Sequence, residues 1–326
     1  MEKYFVTCPG NTVTGGPELL HQFVDALNRQ GADAYILYYP FDEVFKTPEE
    51  YQIYNVKQGN FRDVSSNNLF LAETNTKMAQ NFPYANINIW WLSVDFFLGT
   101  QRESIYADML RYIWYLAFNR VPISRLRKYR HWTQSNYAKE FLKKHKINSQ
   151  MLSDYLNVNH SDMSVKSLSE KKDIILFNPK KGRKRTAKLI AAYPDLTFVP
   201  IQNMTVKEVS LILNSAKIYI DFGHHPGKDR LPREAVLAGC CVITGKYGSA
   251  SNDYDVPIDR IYKLDDLGTD YIKSFDALSK DIFENYKIHF RKFDKMRKNI
   301  TFEKNTFERE VAQILDLNLE GIRPNE

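Results

Sequence analysis

The segment DFGHHPGKDRLPREAVLAGCCVITG, residues 221–245, places two imidazoles, a lysine and two arginines between two apolar, strand-like ends. His224, His225, Lys228, Asp229 and Arg230 crowd ahead of a helix signal at Leu231-Pro232, and Glu234 lies just inside that helix. Cations and ring nitrogens at the start of a helix, where backbone N–H groups also point outward, are suited to holding an anion or a sugar. A carboxylate at position 234 can accept hydrogen bonds from ribose hydroxyls, as acidic residues do in other α/β sites. It can equally do no more than favour the helix macrodipole, at about 0.3–1 kcal/mol. A metal centre needs spaced ligands and a third partner, which adjacent histidines on a loop do not supply, so no metal is expected here.

Three further loops carry comparable chemistry. NPKKGRKR, residues 178–185, follows an apolar strand pattern and holds Lys180, Lys181, Arg183, Lys184 and Arg185. Such a run also marks nucleic-acid patches, but its place between strand and helix favours neutralisation of a diphosphate, with Lys181 first and Lys180 second as the contacts. PGNTVTGGP, residues 9–17, carries Gly10, Gly15 and Gly16 ahead of a helix. It matches neither a dinucleotide fingerprint nor a P-loop; either the glycines admit a phosphate to the backbone or the segment is a plain turn. IWWLSVDFF, residues 89–97, ends a strand and presents Asp95 where a carboxylate could act on an acceptor hydroxyl. Trp90 and Trp91 either stack on a sugar ring or fill the core.

Parallel sheets bind ligands beyond the carboxyl ends of their strands, so the elements must put these loops on such edges. The pattern does so. Strand signals at 3–9 and 33–39 flank a helix over 17–30 opened by Pro17, the parallel βαβ unit. Further strands are predicted at 69–73 and 86–94, with a short helix near 76–81 between them. In the second half, strands at 173–177, 196–201, 218–221 and 241–244 alternate with helices at 185–193, 206–215 and 232–238, the order of a doubly wound parallel sheet. A last helix is expected over 302–315. A chain of 326 residues suits two domains, placed at 1–160 and 161–326 with a polar linker over 157–172.

Composition sets limits. At 43% hydrophobic and 26% charged residues the chain is an ordinary globular protein. With no signal-peptide layout and no long apolar run, it is expected in the cytoplasm. Cys8, Cys240 and Cys241 lack metal spacing and read as buried thiols. The net charge of +6 suits an anionic partner. One stretch, residues 105–132, alternates Leu110, Ile113, Trp114, Leu116 and Phe118 with Arg111, Arg120, Arg125, Arg127, Lys128 and Arg130. It could lie in the headgroup region of an anionic bilayer at the inner face of the membrane, or cover the sheet with a solvated basic face.

Taken together, these motifs resemble those of GT-B glycosyltransferases, two Rossmann-like domains facing an interdomain cleft, and in the second half those of family 4. PKKG, residues 179–182, resembles the family's glutamate-lysine-glycine segment, and Leu231-Pro232 through Glu234 with AVLAGCCVITG resembles its leucine-proline, glutamate and apolar-strand signature. Thr14-Gly15-Gly16 resembles its glycine-rich donor loop, and HWTQSNYAKEFL, residues 131–142, its interdomain strand and helix. The resemblance implies a nucleotide-sugar donor with Lys181 on its diphosphate and Glu234 on its ribose. It further implies close donor approach at Gly15 and Gly16, while the loop positions themselves point to donor contacts from Lys180, His225, Lys228 and Arg230 and to Asp95 on the acceptor side. Transfer to a glycan or lipid-linked acceptor, with retention and without metal or cofactor, in bacterial surface-polysaccharide synthesis is the implied activity. Two positions depart: Pro226 stands where the family often has a second glutamate, with seven residues between it and Glu234, and the arginine that usually precedes the lysine is absent, leaving Asn178 or a later basic residue to substitute. The only D-x-D, Asp253 to Asp255, lies past its strand end. The rival readings are a sugar-nucleotide epimerase and a basic nucleic-acid or membrane module; nucleic acid is not the expected partner.

Overall fold

The computed structural model describes residues 2–100, 105–157, 167–268 and 270–319, so residues 158–166 of the expected linker lie outside the described residues. Two compact units form, Met1–Asp154 with Asn305–Glu326, and Tyr155–Lys304.

The first unit is built on seven parallel strands: β1 (Lys3–Pro9), β2 (Asp33–Tyr39), β3 (Lys57–Gln58), β4 (Asn67–Ala72), β5 (Asn86–Trp91), β6 (Arg130–Thr133) and β7 (Gln150–Met151). Their order is β3-β2-β1-β4-β5-β6-β7. β1 is buried at five consecutive positions, the continuous apolar run of a strand covered on both faces. Helix α1 (Gly15–Arg29) begins two residues before the expected start, with Thr14 as its extended N-cap, so Gly15 and Gly16 belong to the first helical turn. Pro17 fits there because an early-turn N–H has no intrahelical partner to lose.

The strand expected to reach Val94 stops at Trp91, because Ser93 Oγ accepts from Phe96 N at 3.0 Å and caps α2 (Val94–Leu98). α3 (Ile105–Phe118), α4 (Ile123–Leu126) and α5 (Asn136–Lys144) follow, the last capped by Ser135, which accepts from Ala138 N at 3.2 Å. The strand expected to be interdomain, β6, is an inner member of the first unit's sheet, paired with β5 and β7.

Both tryptophans of β5 are fully buried, which decides in favour of core over sugar stacking. Trp90 Nε1 donates to Leu152 O at 2.8 Å, and Trp91 Nε1 donates to His131 Nδ1 at 2.9 Å. Because His131 Nδ1 accepts, its Nε2 must carry the proton and donate to Leu126 O at 2.9 Å, so the ring is the neutral Nε2–H tautomer. Burial agrees, pushing His131 down to about 4.

The second unit alternates β8 (Lys172–Phe177), α6 (Arg183–Ala192), β9 (Thr197–Pro200), α7 (Val206–Ser215), β10 (Ala216–Asp221), α8 (Arg230–Leu237) and β11 (Cys241–Thr244). The four strands are parallel in the order β11-β10-β8-β9. α7 starts at a capping box in which Thr205 Oγ1 accepts from Glu208 N and Glu208 Oε2 accepts from Thr205 N. After β11 come α9 (Tyr271–Glu284), α10 (Tyr286–Lys292) and α11 (Asp294–Leu319), the last eight residues longer at its start than expected. All three cysteines are free and buried, and burial pushes the Cys8 thiol up to about 12.

Each sheet has one place where successive strands are added in opposite directions. In the first unit this is between β1 and β4; in the second it is between β8 and β10. The carboxyl edge at such a point is the crevice where open α/β sheets generally bind ligands, between loops that lead to helices on opposite faces.

Candidate functional site

In the second unit the loops after β8 and β10 meet at that crevice. Gly182, with φ +56°, caps α6 and lies flat against Phe222: a Cβ there would sit 2.8 Å from the Phe222 carbonyl carbon. Gly223 makes the reciprocal approach, since a Cβ on it would be 2.5 Å from Lys181 Cβ. Two glycines therefore allow the loops to touch, and their contact brings Lys181 over the end of β10.

Lys181 Nζ donates to Asp229 Oδ2 at 2.7 Å and lies 3.8 Å from Asp221 Oδ2. His225 bridges the same two carboxylates, with Nδ1 2.9 Å from Asp229 Oδ2 and Nε2 3.5 Å from Asp221 Oδ1. Burial works against charge on each member, but the mutual attraction wins. Lys181 and His225 are both held above their ordinary values by Asp221 and Asp229, and Asp229 is pulled down to about 2 by Lys181 and His225.

Asp221, His225 and Asp229 offer ligand atoms within 4.8 Å of one another, a set that could hold a metal ion. The Lys181 ammonium already stands between the carboxylates, so the set as built accommodates an internal cation.

The other expected residues of this unit divide. Arg230 Nε pairs with Glu234 Oε1 at 2.9 Å, so the buried Glu234 is reached through a half-exposed guanidinium one helical turn before it. Lys228 is drawn to α11, where its Nζ is 3.0 Å from Glu303 Oε1, alongside Arg233 NH1 at 2.7 Å from Oε2. Lys180 is exposed.

Sequence reasoning missed Asp221 and Asp229 as partners of Lys181, although their spacing of four on either side of His225 was visible. It also passed over Arg185. Arg185 donates from NH1 to Phe222 O at 3.0 Å and pairs through Nε with the buried Asp266 Oδ2 at 2.9 Å. Asp253 of the D-x-D is paired with Lys263 at 2.9 Å.

In the first unit the carboxyl edge is lined by Gly15, Gly16, Glu73 and the segment Leu92–Asp95. A Cβ on Gly15 would meet nothing within 4 Å, and one on Gly16 would meet only Leu92 Cδ1 at 4.0 Å, so the α1 N-terminus has room for a ligand. Asp95 sits in the first turn of α2 and accepts from Tyr137 OH at 3.0 Å.

Glu73, unremarked in the sequence, is buried at the end of β4 and accepts from Leu92 N through Oε2 at 2.8 Å. Burial raises it to about 7, partly offset by that amide and by Arg120. A carboxyl group raised above its unfolded value makes folding less favourable as pH climbs from about 4.5 through 7, because only the unfolded chain ionises freely. Glu73→Gln is expected to remove that decline, retaining on the order of 2 kcal/mol more stability than the parent at pH 8 relative to pH 5. Urea unfolding at the two pH values measures it; equal slopes for parent and variant would dismiss the effect.

No protein-family profile matches the sequence, and no curated protein does. Solved structures do match. Sucrose-phosphate synthase from Thermosynechococcus elongatus superposes with a TM-score of 0.63 at 10% identity, covering 98% of this chain and 99% of its own. A glycosyltransferase from Rickettsia africae gives 0.63 at 12%, covering 98% of both chains. The catalytic domain of starch synthase IV from Arabidopsis thaliana gives 0.52 at 8%, covering 95% of this chain and 99% of its own. The chain has the GT-B fold. The GT-B fold thus accounts for both parallel sheets across nearly the full length, at an identity too low to speak for residues.

Proposed function

We propose that this chain is a glycosyltransferase that takes a sugar from a nucleoside-diphosphate donor and passes it to a glycan or lipid-linked acceptor. The observation that carries the reading is the placement of the Lys181 ammonium at the β8/β10 switch point. It is fixed by two carboxylates, and its loop and that of Asp229 lead directly into α6 and α8. A departing nucleoside diphosphate gains negative charge as the sugar bond breaks, and a cation already oriented there needs no reorganisation to stabilise it. Asp229 and Asp221 act as positioning groups for that cation. Glu234 is the ribose contact, reached when Arg230 turns toward a phosphate. Gly15 and Gly16 admit the donor closely, and Asp95 orients the acceptor hydroxyl.

Starch synthase IV, which shares the fold, was solved bound to ADP and acarbose, and this supports a nucleotide-sugar donor. Retention and a role in surface-polysaccharide synthesis follow the family that the loops resemble, and independence of metal follows from the position of the D-x-D, Asp253 to Asp255, past its strand end.

The test is thermal stabilisation by a panel of nucleoside diphosphates, with and without chelator. A ligand at 100 times its Kd adds about 2.7 kcal/mol of stability. One diphosphate should stabilise selectively, with the same shift in chelator and a smaller one in Lys181→Ala. No shift from any diphosphate would overturn the reading. Turnover of a donor sugar to its epimer without acceptor would replace it with an epimerase.

A further inference from the structure

α3 carries an apolar stripe that nothing among the described residues covers. Tyr106, Met109, Leu110, Ile113, Trp114 and Phe118 follow one another at helical spacings of three and four, and all are exposed, Tyr106 at 78%, Leu110 at 64% and Phe118 at 60%. The opposite side of the helix is the one that packs. There Tyr112 meets Phe97 edge-on, and Tyr115 and Arg111 lie against Gly99. A stripe of this length on a helix that already has a packed face is a surface for something apolar.

The charge around it says what. Residues 105–147 contain ten Lys and Arg against two Asp and Glu, a surplus of eight in a chain whose total is +6, so the remainder of the protein is net acidic. The exposed members gather past the C-terminal end of α3. Arg125, Arg127 and Lys128 lie in and just after α4, and Lys143, Lys144 and Lys146 at the end of α5. Arg127 NH2 donates to His145 O at 3.1 Å and so ties the two groups together. Lys77 Nζ donates to Ala117 O at 2.5 Å, adding a cation at the last turn of the stripe.

We infer that α3 with this basic margin is a docking surface for an anionic lipid bilayer, the stripe entering the headgroup and acyl boundary while the cations meet lipid phosphates. No helix among the described residues is long and apolar enough to cross a membrane, so the attachment is to one face. The inference stands on the first unit's surface alone and does not depend on the donor site.

Trp114 supplies a direct readout, because the other three tryptophans, Trp90, Trp91 and Trp132, are buried while Trp114 is 54% exposed. The full chain would be mixed with vesicles of phosphatidylcholine alone and with vesicles containing about one third phosphatidylglycerol, at low and high salt. The expected result is a blue shift of emission and co-sedimentation with the anionic vesicles only, weakened severalfold by salt. Leu110→Glu with Ile113→Glu should abolish both, and Arg127→Glu with Lys128→Glu should reduce binding at least tenfold. Each variant should keep the parent's melting temperature and its response to nucleoside diphosphates, which separates failure of docking from failure of the enzyme reading. Absence of binding to anionic vesicles would overturn the inference. So would a concentration-dependent dimer by light scattering that Leu110→Glu dissolves, since the stripe would then belong to a second copy of the chain.

Discussion

Lys181→Ala is expected to lower turnover by at least about 100-fold, the loss typical when one preorganised donor is removed from a developing negative charge. The geometry explains why the lysine should matter more than the exposed cations of its loop. Its Nζ is fixed at 2.7 Å from Asp229, whereas Lys180 is exposed and free to rotate. Release of nucleoside diphosphate from a donor sugar measures the effect, and a loss under about fivefold would remove Lys181 from the mechanism.

The fold should survive, because His225 Nδ1 remains 2.9 Å from Asp229 and keeps that carboxylate paired. The variant should nevertheless become more sensitive to pH. His225 is raised above its ordinary 6.5, so the stability it contributes is complete below 6.5 and is lost as pH rises through its folded-state value. With Lys181 gone, no second cation among the described residues pairs with the two carboxylates once the ring loses its proton. A melting temperature that falls faster above neutrality in the variant than in the parent is the expected signature.

Gly182→Ala is expected to cost about 3 kcal/mol of stability and about tenfold in turnover. The left-handed backbone at φ +56° penalises any Cβ by about 1–2 kcal/mol. The new Cβ would also stand 2.8 Å from the Phe222 carbonyl carbon, and backbone cannot swing aside as a flexible side-chain tip can. Overpacking of that kind adds about 1–3 kcal/mol. The loops must part to relieve it, carrying the adjacent Lys181 away from Asp229. Denaturant unfolding should show a lower midpoint at an unchanged slope. Gly15→Ala is the control for stability alone: its Cβ would meet nothing within 4 Å, so a comparable fall in the unfolding midpoint there would show that the effect is not steric.

The sequence reveals how much of this was locally encoded. α7 falls exactly on its expected span, Val206–Ser215, because its start is written in four adjacent residues, the Thr205 to Glu208 capping box. The alternation of elements around β8 to β11 was legible for the same reason: period and punctuation act over a few residues. Lys181 and Glu234 stood out because strand-to-helix loops in parallel sheets face a crevice wherever they occur. The strand ending at Trp91 was misjudged by three residues because the Ser93 cap competed with an apolar run that reads equally well as strand.

What only the tertiary structure decided were pairings across long stretches of chain. The attachment of Lys181 to a carboxylate 48 residues away depends on strand order, since β8 and β10 are neighbours although β9 lies between them in sequence. Strand order follows from how helices cover both faces of a sheet, which no short window contains. Glu73 was invisible for a related reason: a glutamate has its ordinary chemistry until burial removes water, and the groups that partly offset that burial, Leu92 N and Arg120, are distant in sequence. The sequence alone determined which side chains were available at the loops. The packed sheets decided which of them meet, because charge and burial depend on distances that only the folded chain defines.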